Sequence, residues 1–184
     1  MAKVAKRILG IDPGTIVMGY GVIEIVGNQP KIINAGVVKT SGFNDHYLRL
    51  KHIFLRTKHL IEEYKPDELA IESPFYGKDI QAMLKLGRAQ GIIMGLSLEK
   101  DIPVFEYAPL KVKQAITGMG RAAKEQVAYF LQNMFKEDSL PKELDATDAV
   151  AVAVCHYIQS KNPLSLQSYK NWGDFIKKNP GRVK

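Results

Sequence analysis

The stretch that most limits what this chain can fold into is residues 7–25, RILGIDPGTIVMGYGVIEI, where one carboxylate, Asp12, ends an apolar run. Residues 8–11 read as a buried strand because a short aliphatic run stops at a turn signal. That signal is Asp12, Pro13 and Gly14: proline presets φ for a turn and glycine accepts positive φ. Residues 15–26 then alternate aliphatic and aromatic side chains with small ones, so the chain doubles back as a second strand. The product is a hairpin with an acid near its tip. Taken alone, Asp12 either opens the turn through its side chain or is held there for chemistry.

Further along, GNQP at residues 27–30 reads as a hairpin loop and residues 31–40 as a third strand, giving three antiparallel strands in succession. From about residue 44 the period becomes helical, with Tyr47, Leu50, Phe54, Ile61 and Tyr64 on the expected inward face and an end at Lys65, before Pro66. Residues 68–73, ELAIES, form a short strand that returns parallel to the first, since a helix precedes it. Asp12 and Glu72 then stand at the carboxyl ends of adjacent strands, where open α/β sheets place their sites. The bland reading of Glu72 is that the strand simply surfaces there. In the loop that follows, Phe75 and Tyr76 stand next to Gly77 and Lys78. Such aromatics either anchor a loop to the core or stack on a base.

Residues 79–100 read as a long helix with Gly87, Gly91 and Gly95 four apart. Glycine costs about 1 kcal/mol in a helix interior, so the stripe implies close approach of another backbone: the protein's own sheet, another helix, or a second subunit. Residues 103–107 form a fifth strand. Two helices follow, residues 110–117 with Lys111 and Lys113, and residues 122–135 with Lys124 near its start and Val127, Leu131 and Met134 inward. These lysines either meet a phosphate backbone or are merely solvated. The last helix, DATDAVAVAVCHYI, is almost wholly apolar, as a helix buried against a sheet must be, yet its first turn holds Asp145 and Asp148, three apart and so on one face. A helix cap or dipole partner accounts for Asp145 better than for Asp148. His156 lies too far along the axis to join them and reads as structural.

With 184 residues, 46% of them apolar, the chain suits one α/β domain with a real core. A net charge of +7 favours a polyanionic partner. Cys155 is the single cysteine, so no intrachain disulfide forms, and no stretch is long enough to span a membrane. These features fit a cytoplasmic location.

Asp12, Glu72, Asp145 and Asp148 all stand at ends of elements that are otherwise buried. Gathered without a cation they would raise one another's pKa, so the arrangement makes sense around hard divalent ions such as Mg²⁺ or Mn²⁺. Two ions ~3.5–4 Å apart can activate water and stabilise the leaving oxygen of a phosphodiester, which is nuclease chemistry.

Four blocks occur in order between residues 7 and 156: ILGIDPGTIVMGYGVIE, LAIESPFYGKDIQAMLKLGRAQG, FEYAPLKVKQAITGMGRAAKEQV and DATDAVAVAVCH. Together they resemble the RuvC family, the bacterial crossover junction endodeoxyribonucleases that resolve Holliday junctions. The resemblance implies a ribonuclease H-like fold: a five-stranded mixed sheet, its first three strands antiparallel, flanked by helices. It further implies paired Mg²⁺-dependent nicks in four-way DNA junctions by a homodimer, and cooperation with the RuvA and RuvB branch-migration proteins. By position, the family's acids fall on Asp12, Glu72, Asp145 and Asp148, its junction-stacking phenylalanine on Phe75, and its DNA-contacting lysines on Lys113 and Lys124. Tyr76 and Lys78 join Phe75 as candidates for DNA contact.

The expected organisation is a nuclease domain over residues 1–160 and a basic tail over residues 161–184. Two other functions compete. The IDPGT turn also resembles the phosphate loop of the actin and Hsp70 ATPases, which need a duplicated domain to enclose a nucleotide. A non-catalytic junction-binding module is the other, and it has no use for all four acids.

Overall fold

A computed structural model of the protein describes residues 5–74, 79–135 and 140–161. Strands β1 (Lys6–Asp12), β2 (Val17–Val26) and β3 (Gln29–Lys39) form an antiparallel meander. After α1 (His46–Tyr64) come β4 (Glu68–Glu72), α2 (Ile80–Glu99) and β5 (Val104–Tyr107), then α3 (Pro109–Thr117), α4 (Lys124–Phe135) and α5 (Leu144–Ser160). The strand order is β3-β2-β1-β4-β5, with β4 parallel to β1 and β5 parallel to β4. The expected five-stranded mixed sheet is therefore the one observed.

The β2–β3 loop is shorter than the sequence suggested. Val26 pairs with Gln29, so only Gly27 and Asn28 turn the chain, with Gly27 at φ 67°. Pro30 joins the ladder because β3 is an edge strand, where a missing N–H can face solvent.

Alternation along the strands sorts side chains into two cores. Ile8 and Ala70 pack against α3, α4 and α5, whereas Leu9, Ile11, Leu69 and Ile71 pack against α1 and α2. With a period of two, Asp12 shares a face with Ile8 and Glu72 shares it with Ala70. The β1–β4 register, Ile8 with Glu68 through Ile11 with Ile71, brings the two acids level at the open end of the α5 side.

What lets α5 reach that face is the absence of side chains beneath it. A Cβ on Gly10 of β1 would lie 2.2 Å from the Ala149 carbonyl oxygen, and one on Gly19 of β2 would lie 1.9 Å from that of Asp145. Residues 146–157 of α5 are all buried except Asp148, which is partly buried at the cleft, and this explains why the helix is otherwise almost wholly apolar. Cys155 is core packing, and burial pushes its thiol up to about 12.

Three helical expectations are corrected. In α1 the buried residues are Ile53, Thr57, Leu60 and Ile61, while Tyr47 is 73% exposed and Phe54 lies at the surface. In α4, Val127 and Leu131 point inward but Met134 is exposed. Among the described residues the glycines of α2 do not meet the sheet or a neighbouring helix: a Cβ at Gly87, Gly91 or Gly95 would find nothing within 4 Å. The opposite side of α2, with Ala89, Gln90, Ile93 and Ser97, is the buried one.

Helix ends follow the local chemistry. Asp45 caps α1 by accepting from the Leu48 N–H at 2.9 Å, and Asp79 caps α2 by accepting from the Ala82 N–H at 3.0 Å. Lys65 ends α1 in a left-handed conformation, φ 46°, because Pro66 cannot continue the helix.

Candidate active site

Asp12 ends β1, and Asp145 and Asp148 lie near the start of α5, one helical turn apart. Carboxylate oxygens of these three residues all come within 4.8 Å of one another. Asp145 is not the helix cap: that position belongs to Glu143, whose side chain makes no capping bond. Glu72 lies outside the three-acid group but lines the same cleft, about 220 Å³, together with Asp12, Asp148, Lys113 and Lys124. A larger groove, about 450 Å³, runs beside Phe54, Gly91 and Gly95 on the α1–α2 side, but it is mainly apolar and holds no such convergence of acids.

The electrostatics are those of acids crowded out of water. Burial, reinforced by Asp148 and Asp145, pushes the Asp12 carboxyl up to about 7, with Lys124 opposing. Burial and the charges of Asp12 and Asp148 push Glu72 up to about 7 as well, with Lys124 and Lys113 opposing. Lys124 is the local counter-charge. Its ammonium donates a short hydrogen bond to Asp148 Oδ2 and stands 4.0 Å from Asp145 Oδ1. Burial alone would lower its pKa, but the bond to Asp148 and the surrounding carboxylates raise it.

The donor set suits a hard divalent cation. It consists of carboxylate oxygens, with no cysteine or histidine among the described residues of the cluster, and carboxylates whose pKa is raised by burial and by one another's charge gain when a cation relieves them. Lys113 and Lys124 line the same cleft as the acids. Phe75, Tyr76 and Lys78 lie outside the described residues.

The sequence reading missed one polar contact at the site. Gln90, 5% exposed in the buried face of α2, donates from Nε2 to the Glu72 main-chain carbonyl at 2.6 Å. An amide at a position otherwise read as core was the available signal. His156 is fixed elsewhere, as expected of a structural residue: its ring bonds Tyr107 Oη and Glu68 Oε2, each at 2.6 Å.

A mixed sheet of this order, with acids at the ends of two central parallel strands and two more on a helix laid across them, defines a metal-dependent nuclease of the ribonuclease H-like class. The family described as "Crossover junction endodeoxyribonuclease RuvC" matches residues 8–156. The chain belongs to that family. It is 55% identical over 181 residues to the RuvC of Bacteroides fragilis, covering 97% of this chain and 96% of that one. It is 51% identical over 190 residues to the RuvC of Porphyromonas gingivalis, covering both chains in full. The structure of Thermus thermophilus RuvC in complex with Holliday junction substrate superposes with a TM-score of 0.78 at 31% identity, covering 84% of this chain and 94% of the other. None of these matches supports the ATPase or the non-catalytic reading.

Proposed function

We propose that this protein resolves four-way DNA junctions by paired, symmetric, Mg²⁺-dependent nicks during recombination and repair. The observation that carries the proposal is the approach of Asp12, Asp145 and Asp148 within 4.8 Å beside Glu72, Lys113 and Lys124. In this reading all four acids serve as metal ligands, two magnesium ions occupy each site, and Mn²⁺ substitutes. Magnesium, when bound, supplies the Lewis acidity that activates a water and stabilises charge on the leaving oxygen. Asp12 and Glu72 hold their carboxylates at the ends of rigid strands, and Asp145 and Asp148 present theirs from a helix that cannot shift without lifting off Gly10 and Gly19. Water attacks phosphorus, the bond to the 3′ oxygen breaks, and a 5′-phosphate and a 3′-hydroxyl remain.

Lys124 is bonded to Asp148 in the free protein, and its ammonium can turn to a non-bridging phosphate oxygen when a cation takes over the acids. Lys113 faces the same phosphate. Lys113→Ala should weaken junction binding whatever the sequence and lower the slope of log K against log[salt] by about one charge. Binding isotherms at several salt concentrations check this, and an unchanged slope would leave Lys113 merely solvated. Phe75 is read as the ring that stacks on an unpaired base at the crossover, with Tyr76 and Lys78 beside it. Phe75→Ala should therefore reduce cutting far more than it reduces the melting temperature.

Separating a four-way junction into two duplexes takes two cuts, so the active species is read as a homodimer with its sites related by a two-fold axis. The open side of α2, with Gly87, Gly91 and Gly95 and with Ile92 and Met94 beside them, is the proposed contact, since among the described residues nothing lies within 4 Å of a Cβ placed on any of those glycines. Residues 1–160 are read as the nuclease domain and residues 161–184 as a basic tail, with RuvA and RuvB as partners in the cytoplasm. Among the described residues no helix is long and apolar enough to cross a membrane. Mixing wild-type subunits with Asp148→Asn subunits on a supercoiled cruciform plasmid tests the paired-nick reading. Mixed dimers should accumulate nicked circles at the expense of linear product, and linear product undiminished by the dead subunit would count against it.

A further inference from the structure

The cleft that holds the acids lies on the α5 side of the sheet, yet Glu72 is held from the other side as well. The β1–β4 ladder ends with the pairing of Ile11 and Ile71, so Glu72 lies one residue past it. On its outer flank the strand is tied to β5, where the Ser73 N–H donates to the Tyr107 carbonyl at 2.9 Å. Its own carbonyl turns towards α2 and accepts from Gln90 Nε2 at 2.6 Å. Gln90 sits between Ala89 and Ile93 on the buried face of that helix. A side-chain amide placed among apolar neighbours is costly unless its partner is fixed, and here the partner is the main chain of an acid in the site.

We infer that Gln90 is a positioning residue for the metal site: its amide, donated from α2 to the Glu72 carbonyl, holds the end of β4 where the Glu72 carboxylate can join Asp12 and Asp148 in gripping a divalent cation. The inference rests on the reading of Glu72 as a ligand. It assigns α2 a part in catalysis although the helix carries no acid of the site.

The test uses Gln90→Met, which keeps length and volume and removes the donor. Mn²⁺ affinity of the protein without DNA, read by calorimetry or electron paramagnetic resonance, should weaken about 10-fold, the usual scale for losing a hydrogen bond behind a metal ligand. The Mg²⁺ concentration giving half-maximal junction cutting should rise by a similar factor, while the rate at saturating Mg²⁺ and junction binding in EDTA stay close to wild type. A lower melting temperature with unchanged Mn²⁺ affinity would make Gln90 merely structural and overturn the inference. Should Gln90→Met fail to fold, the wild-type protein still decides the question. The Gln90 side-chain amide resonance should move during Mg²⁺ titration with the same midpoint as Mn²⁺ competition, and a resonance that stays still overturns the inference. Wild-type protein that binds no Mn²⁺ and cuts no junction would instead sink the nuclease reading itself, an outcome distinct from either.

Discussion

Asp12→Asn is expected to reduce junction cleavage by at least about 100-fold, since losing even a group behind a metal ligand costs 10–100-fold and Asp12 is read as a ligand itself. Junction binding should survive, and tighten modestly, because a negative charge beside the phosphates is gone. The same substitution should make the metal-free protein more stable at pH 8. The folded-state pKa of Asp12 is raised from 3.8 to about 7, so the carboxylate is ionised at a cost to the fold above pH 7. That cost is fully present above about pH 7, fades as pH falls from there towards 3.8, and is gone well below that, where the carboxyl is protonated in both states. Glu72, raised to about 7, acts in the same sense. Wild-type protein in EDTA should therefore melt higher at pH 5.5 than at pH 8, and Asp12→Asn should narrow the gap. Adding Mg²⁺ at pH 8 should raise the wild-type melting temperature and leave the variant nearly unmoved, because only a protein that binds the cation gains from it. Thermal melts with and without EDTA, run beside a gel assay of cutting, check all of these outcomes. A variant that cuts at wild-type rate removes Asp12 from the chemistry.

The second large effect is on the scaffold. In Gly10→Val the new Cβ would stand 2.2 Å from the Ala149 carbonyl oxygen and 2.8 Å from the Ala153 Cβ, and two methyls beyond it would press further into α5. Neither neighbour can give: one is main chain, and the other is Ala153, in the fully buried middle of α5. Overpacking of this kind costs about 3 kcal/mol or more, which for a chain of this size lowers the melting temperature by about 10 °C or prevents folding. Gly91→Ala makes the control. With nothing within 4 Å of its Cβ and a helical backbone, it should stabilise the isolated subunit by about 1 kcal/mol. If α2 forms the subunit contact, that gain comes with weaker dimerisation, which sedimentation at micromolar concentration reads directly. Equal melting temperatures for Gly10→Val and Gly91→Ala would contradict the account of how α5 is seated.

The contrast between these glycines shows what could be read from sequence. Strand alternation carries Asp12 and Glu72 to one face without any knowledge of distant contacts, and a three-residue spacing puts Asp145 and Asp148 on one side of α5. Local periodicity was enough for both. It was not enough for α1, where Ile61 is buried as expected but Tyr47 and Phe54, which have the chemistry of a buried face, give way to Ile53, Thr57 and Leu60. Which apolar stripe of a helix is covered depends on its neighbours, and α1 has α2 beside it. Nor could spacing tell the buried contacts of Gly10 from the open surroundings of Gly91, since a residue without a side chain leaves no periodic signal. The bond of Lys124 to Asp148 and that of Gln90 to Glu72 join distant segments, and no pattern along the chain announces either.

The most direct test of the central claim is a synthetic four-way junction with each strand labelled in turn, incubated with protein and Mg²⁺ beside a linear duplex of the same sequence. The proposed function predicts nicks at symmetric positions in two opposed strands. The ends should be sealable by ligase, there should be no cutting in EDTA, and the linear duplex should stay intact. Equal cutting of junction and duplex, or intact junctions in both Mg²⁺ and Mn²⁺, would contradict it.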